Sequence, residues 1–318
     1  MLRRTVLAAP LLTLLAAAGC RSSEEGDLRI MVPNAPGSGY DITARTIATA
    51  LDMSKIRQGI EVFNLPGGGG MAGLQRMVYE RGNGSLLMLM GLGLVGVQHT
   101  SQAAVTLNEV TPIARLIEEP EIVVVTPDSP MRTLADLMRA WTADPAALAV
   151  GGGSAPGGPD HLAPMLMAKA AGIAPTEVRY KQYDGGGALL AAVLSKQVTF
   201  AVSSLGEYAE QVDSGQLRVL AVTSGQASPG VDAPTLREAG LDVVFANWRG
   251  LVAPPRLSAA DATALLTLAD RLHGSDAWRQ AIASYRWTDR FLAGKDFGTF
   301  MRDENARVEQ ILAELGLR

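Results

Sequence analysis

Short apolar runs alternate along this chain with stretches whose apolar positions recur every three to four residues, and nearly every junction carries glycine or proline. The runs predict strands at Leu28 to Val32, Ile60 to Phe63, Leu86 to Met90, Ile122 to Thr126, Leu148 to Val150, Val178 to Tyr180, Val198 to Val202, Leu217 to Thr223 and Gly250 to Ala253. Helical spacing is clearest at Leu134 to Trp141, Leu189 to Leu194, Ala259 to His273 and Phe297 to Leu315, the last with Glu304 set in an otherwise apolar series. Strands alternating with helices predict an α/β fold with parallel sheets built from right-handed crossovers. No fixed-period repeat or low-complexity linker divides the chain. Two lobes joined by several crossings therefore fit, one at about 27–122 plus 251–318 and the other at about 123–250, with a cleft at the strand ends where ligands meet open α/β sheets.

The first strand is followed by the most informative stretch, Val32-Pro33-Asn34-Ala35-Pro36-Gly37-Ser38-Gly39-Tyr40-Asp41. Beyond it Ala44, Ile47, Ala48 and Leu51 share one face of a helix that Asp41 can cap. A strand, glycine loop and helix in this order aim unpaired backbone N–H groups at one point, and the helix N-terminus adds about half a positive charge. Gly151 to Gly158 repeats the arrangement after Val150 and before another helix, so each lobe supplies one amide-rich loop. No basic cluster flanks either loop, and an anion is expected to be held by amides and hydroxyls more than by any arginine or lysine. Ser154 brings a hydroxyl. Ser203 and Ser204 follow a strand and are candidates to face the cleft; Tyr40 and Tyr183 read as wall or core; His161 reads as a packed, capping or ligand-facing residue; Arg45 reads as a solvated or paired helix residue.

Gly68 to Gly73 and Gly91 to Gly96 also match G-x-G-x-x-G, but neither is followed by a carboxylate placed to hold a ribose, so dinucleotide binding is not expected. The histidines, His99, His161 and His273, have no zinc-binding spacing, and no nucleophile elbow or P-loop lysine occurs. An exported hydrolase is thus the weaker alternative to a binding protein. Metal and cofactor are expected to be absent.

The N-terminus bears on location. Arg3 and Arg4 precede an apolar stretch, Val6 to Ala18, too short to span a bilayer as a mature helix, and Ala17-Ala18-Gly19-Cys20 follows. This resembles a bacterial lipoprotein signal peptide, which implies removal of residues 1–19, lipidation of Cys20, a tether over 20–26 and anchoring to the outer face of the cell membrane by acyl chains. Cys20 is the single cysteine, so no intrachain disulfide is available. The 28 basic residues, less Arg3 and Arg4, against 32 acidic ones leave the mature chain at about −6, and no basic patch points to nucleic acid.

Taken in order, Pro36-Gly37-Ser38-Gly39-Tyr40-Asp41 with Ala44-Arg45, Asn64-Leu65-Pro66 with Gly67 to Gly70, Gly153-Ser154 with His161-Leu162-Ala163, Tyr183 with Gly185, Leu217 to Thr223, Pro234 to Gly240 and Trp248 to Pro254 resemble the substrate-binding proteins of tripartite tricarboxylate transporters, the Bug-type receptors. The resemblance covers nearly the whole mature chain. It implies a two-lobed, periplasmic-binding-protein-like Venus flytrap that closes on a small organic carboxylate and delivers it to a membrane permease; a sensory receptor serving a signalling partner is the alternative. It further implies that Gly37, Ser38, Gly39, Tyr40 and Asp41 of one lobe and Gly153, Ser154 and Ala155 of the other hold carboxylate groups, with Gly69, Gly70 and Met71 bordering the cleft. Ser38 stands where the family often has glycine, and the loop from Gly151 to Gly158 is longer than the common pattern.

Overall fold

The computed structural model describes residues 28–101 and 104–317. The signal segment, Cys20 and the 20–26 tether lie outside the described residues.

The strands are β1 (Arg29–Val32), β2 (Glu61–Asn64), β3 (Leu86–Gly91), β4 (Thr111–Glu119), β5 (Glu121–Val125), β6 (Ala149–Gly152), β7 (Arg179–Gln182), β8 (Phe200–Ser204), β9 (Arg218–Val222), β10 (Asn247–Ala253) and β11 (Thr288–Ala293). The helices are α1 (Gly39–Met53), α2 (Met71–Tyr79), α3 (Leu92–Thr100), α4 (Leu134–Ala143), α5 (Pro159–Ala170), α6 (Gly186–Leu194), α7 (Ala209–Asp213), α8 (Ala259–His273), α9 (Asp276–Ser284) and α10 (Gly294–Glu314). They build two sheets, ordered β11-β4-β10-β3-β1-β2 and β7-β6-β8-β5-β9, and each sheet is the centre of one lobe.

The centre of the first sheet is buried on both faces, which is why β3 and most of β1 read as unbroken apolar runs. Ile30, Val32, Leu87 and Leu89 pack with α1, α8 and α9 on one face. Met31, Leu86, Met88 and Met90 belong to the core on the other face, with α2, α3 and α10. The sheets are mixed and not purely parallel. β1 runs parallel to β2 and β3, but β10 is antiparallel to both β3 and β4, and β5 is antiparallel to β8 and β9. The antiparallel pairings involve the strands by which the chain enters one sheet from the other, β5 directly from β4 through Pro120 and β10 after β9.

Two strands have no counterpart in the apolar pattern. β4 carries Arg115, Glu118 and Glu119, and β11 carries Asp289 and Arg290. Arg115 tolerates burial because its Nε donates to the Arg290 carbonyl at 2.8 Å, it pairs with Glu118 at 3.1 Å, and its guanidinium lies 4.1 Å from the Phe300 ring centre. Glu304, the misfit of α10, accepts from Trp248 Nε1 at 3.0 Å and from Arg307 at 2.7 Å, tying the last helix to β10.

The second passage between sheets, from β9 to β10, runs beside the first. Thr223 fastens the two: its hydroxyl accepts from the Glu121 amide at 2.9 Å and donates to the Phe245 carbonyl at 2.7 Å, while its amide donates to the Glu121 carbonyl at 2.9 Å.

Candidate functional site

The first-lobe loop is shaped by a reciprocal exchange between a serine and an aspartate. Ser38, with extended backbone, is the N-cap of α1, and its Oγ accepts from the Asp41 amide at 3.3 Å. The Asp41 carboxylate reaches back to accept from the Gly37 amide at 2.9 Å. Gly37 has φ +78°, a left-handed conformation that suits glycine. Asp41 also accepts from Arg45 Nε at 3.0 Å and from Asn64 Nδ2 at 3.0 Å. Partial burial opposes its ionisation, but these donors hold its carboxyl below the usual range. The cap is thus Ser38 and not Asp41, and Asp41 braces the loop from behind instead of lining the cavity.

The second-lobe loop repeats the exchange with wider spacing. Asp160 accepts from the Gly153 amide at 2.7 Å, and its own amide donates to Ser154 Oγ at 3.1 Å. Tyr180 OH donates to the Ser154 carbonyl at 2.7 Å. His161 supports the same loop: its Nδ1 accepts from the Gly157 amide at 3.1 Å, its ring lies edge-on to Tyr180, and burial lowers its pKa to about 4, so it is neutral. Burial raises Asp160 to about 6, against the pull of the Gly153 amide. The amides of Ser154 and Ala155 donate to no protein group among the described residues, which leaves two donors free in the loop before α5.

The loops meet across a small cavity. Ser38, Gly39, Tyr40 and Gly69 line it from one lobe, and Gly153, Ser154, Ala155 and Ser204 from the other. Gly37, Asp41, Gly70, Met71, His161, Tyr183 and Ser203 do not line it. Gly70 and Met71 begin α2, where Met71 packs against the core. Tyr183 packs in the second-lobe core, and Ser203 points to the opposite face of β8 from Ser204. The Tyr40 hydroxyl accepts from the Leu94 amide at 3.3 Å, and burial pushes its pKa up to about 12.

Three lining residues escaped sequence reasoning because they come from distant strand ends: Asn247 and Arg249 on β10, and Glu207 in the turn after β8. Arg249 is 2% exposed. It forms an ion pair with Glu119, donates to Thr43 Oγ1 at 3.1 Å and Ser204 Oγ at 3.3 Å, and lies 3.6 Å from Glu207. An arginine therefore stands at the floor of the cleft, its charge answered by protein carboxylates.

The lobes touch around this cavity. Thr100 Oγ1 donates to the Pro156 carbonyl at 2.8 Å, Lys169 pairs with Glu314 at 2.8 Å and Arg286 with Asp213 at 2.7 Å. Gly96 of α3 lies flat on Gly157, so closely that a Cβ on Gly96 would collide with the Gly157 carbonyl. About 60 Å³ remains inside, room for a few waters, where ligand pockets span roughly 300–1,000 Å³. The lobes are closed. The glycines of Gly91 to Gly96 thus serve close approach: Gly93 meets the Tyr40 hydroxyl and Gly96 meets the other lobe.

Among the described residues no cluster of His, Cys, Asp and Glu could hold a metal, and no helix is long and apolar enough to cross a membrane.

A profile of the tripartite tricarboxylate transporter family receptors matches residues 32–317. Protein BugT of Bordetella pertussis is 27% identical over 237 residues, spanning 71% of this chain and 70% of BugT. Among solved structures, MatC from Rhodopseudomonas palustris with bound malate superposes with a TM-score of 0.79 at 21% identity, covering 90% of this chain and 98% of that one. R. palustris Rpa4515 with adipate gives 0.83 at 23% identity, over 91% and 97% of the two chains.

Proposed function

Because this chain belongs to the receptor family of tripartite tricarboxylate transporters, we propose that it captures a small organic carboxylate between its lobes outside the cytoplasm and delivers it to the membrane permease of such a transporter. The observation that carries this reading is the meeting of two braced glycine loops, one from each lobe, in a single cavity at the N-termini of α1 and α5. The malate and adipate held by the R. palustris proteins are of the same chemical class.

In this reading the amides of Ser154 and Ala155 and the Ser154 hydroxyl take a carboxylate from the second lobe, while Ser38, Gly39, Tyr40 and Gly69 close over it from the first. Gly37, Asp41, Gly153 and His161 hold the two loops in shape. A helix terminus contributes about 0.3–2 kcal/mol to an anion and a charge-assisted hydrogen bond about 1.5–3 kcal/mol, so a few together reach the roughly 8 kcal/mol of a micromolar complex. The lobes run from 28 to 119 with 247 to 317, and from 121 to 246, and opening is rotation about Pro120 and the neighbouring passage into β10.

A thermal-shift screen against carboxylates is the direct test, since a ligand at about 100 times its Kd adds about 2.7 kcal/mol to the folded state. Gly39→Val is the control variant: its side chain would collide with Arg249 and Glu207, and it should show no shift with any hit while remaining folded by circular dichroism.

Export and anchoring rest on the sequence of the N-terminus. Cys20→Ser should release the protein from the membrane fraction or leave the precursor unprocessed; a wild-type mature chain that begins elsewhere and carries no lipid removes this part of the proposal.

A further inference from the structure

Glu207 has no role in the carboxylate cradle described so far, yet it sits inside it. Its carboxylate faces Gly39 at the start of α1. One of its oxygens lies against Gly39 and the other against Gly186, the first residue of α6. The guanidinium of Arg249 stands 3.6 Å away. Two helix N-termini, one from each lobe, and a buried arginine converge on this one group. That is the environment in which a ligand carboxylate would be placed, and a protein carboxylate already occupies it.

The surroundings hold more acceptors than donors, although the buried Nε of Arg249 is itself without a partner. Glu119, Glu121 and Asp160 are buried around Glu207, and Arg249 is the one cation lining the cavity among the described residues. Burial, then Asp160, pushes Glu207 up to about 8, with Arg249 pulling the other way. Asn247, 2% exposed and lining the cavity, has a buried Oδ1 with no partner, and so does the half-buried Asn34. A second ligand carboxylate would add a further acceptor and bring a charge to a place where burial already opposes carboxylate charge. A group bearing donors and positive charge would satisfy Glu207, Asp160 and the two amide oxygens together.

We infer that Glu207 fills one of the two carboxylate positions of the cleft and selects a ligand that carries a single carboxylate, held on the Ser154–Ala155 amides, and an ammonium group directed at Glu207. The inference rests on the carboxylate-receptor reading and narrows it from small organic acids in general to zwitterions. Glu207 is then the specificity-determining residue, and a dicarboxylate of equal length is the ligand it rejects, by occupying the place such a ligand's second carboxylate would need, whereas an ammonium draws Glu207 into its charged form.

The test is calorimetry with length-matched probes, 4-aminobutyrate against succinate and 6-aminohexanoate against adipate, on wild type and Glu207→Gln. The variant keeps the size of the side chain, and its melting curve checks the fold. Wild type should prefer the amino acid of at least one pair by about tenfold or more, the worth of one charge-assisted bond. Glu207→Gln should erase or reverse that preference, chiefly by weakening the amino acid. A wild type that prefers the dicarboxylates, an unchanged preference in Glu207→Gln, or binding of other carboxylates with none of the four probes overturns the inference and leaves the receptor reading standing. Binding of no carboxylate of any kind overturns both.

Discussion

The loops at the starts of α1 and α5 are built alike and behave differently. In each, a serine hydroxyl accepts from an aspartate amide while the aspartate carboxylate accepts from a loop glycine, Asp41 from Gly37 and Asp160 from Gly153. Asp41 is supplied with Arg45 and Asn64 and is held ionised. Asp160 has no ion-pair partner in its loop, and burial pushes it up to about 6 against the pull of the Gly153 amide, its own amide, Arg249 and Ser154. The same covalent parts therefore make a fixed, charge-balanced brace in one lobe and a brace short of positive charge in the other. Geometry is set by the loop itself; electrostatic character is set by what the rest of the fold brings beside it.

The strongest way to break the comparison is to stop the loops from meeting. Gly96→Leu places a side chain where Gly157 now lies, while leucine suits the helical position itself. Ligand contacts from one lobe should be lost, weakening binding by about 100-fold if two charge-assisted bonds go. Small-angle scattering should then show the same open dimensions with and without ligand; normal closure in this variant would mean that Gly96 is not the contact face.

Exchanging each aspartate for its amide separates the two braces. Asp41→Asn should cost about 1–3 kcal/mol at neutral pH, because a carboxyl held below its ordinary value stabilises the fold above the unfolded pKa of about 3.9 and loses that contribution as pH falls through the folded value. Asp160 has the opposite sign. Its folded value of about 6 lies above the unfolded one, so wild type loses stability as pH rises from about 4 to about 6, and Asp160→Asn should flatten that slope without loss at pH 7. Urea melts across this range read both. Equal losses at neutral pH would erase the distinction between the loops.

Ser154→Ala removes one hydroxyl from the second loop and should weaken ligand binding about tenfold. Arg45→Gln should have the smallest effect. The Arg45 side chain is 52% exposed, and such pairs contribute about 0.2–1 kcal/mol; ligand affinity should change by less than about twofold, and a large loss would place Arg45 in the binding path.

What could be read from the sequence follows the range of the interactions. The two amide-rich loops were legible because a glycine run between a strand and a helix acts within a few residues, although the cap expected of Asp41 falls to Ser38. The pairing of Asp160 with Gly153 was not, because the residue that stands in the second loop where Asp41 stands in the first is His161, which accepts from the Gly157 amide as Asp41 does from that of Gly37. Arg249, Glu207 and Asn247 reach the cleft only because β10 and β8 end there, and nothing in their neighbours along the chain announces it. β4 was missed for a related reason: Arg115 and Glu119 interrupt its apolar run, and both find their partners far away in sequence, at Arg290 and Arg249.

Thr223 fastens the two passages between the sheets at one point. An acid resting on one loop is accordingly never far from the other, because the opposing lobe is tethered at a short, fixed radius and cannot diffuse away. The second loop is presented at a high effective concentration, so its engagement is an intramolecular step whose entropy has been settled in folding. Lengthening either passage would dilute one half of the receptor with respect to the other, lowering apparent affinity while every ligand contact stayed in place.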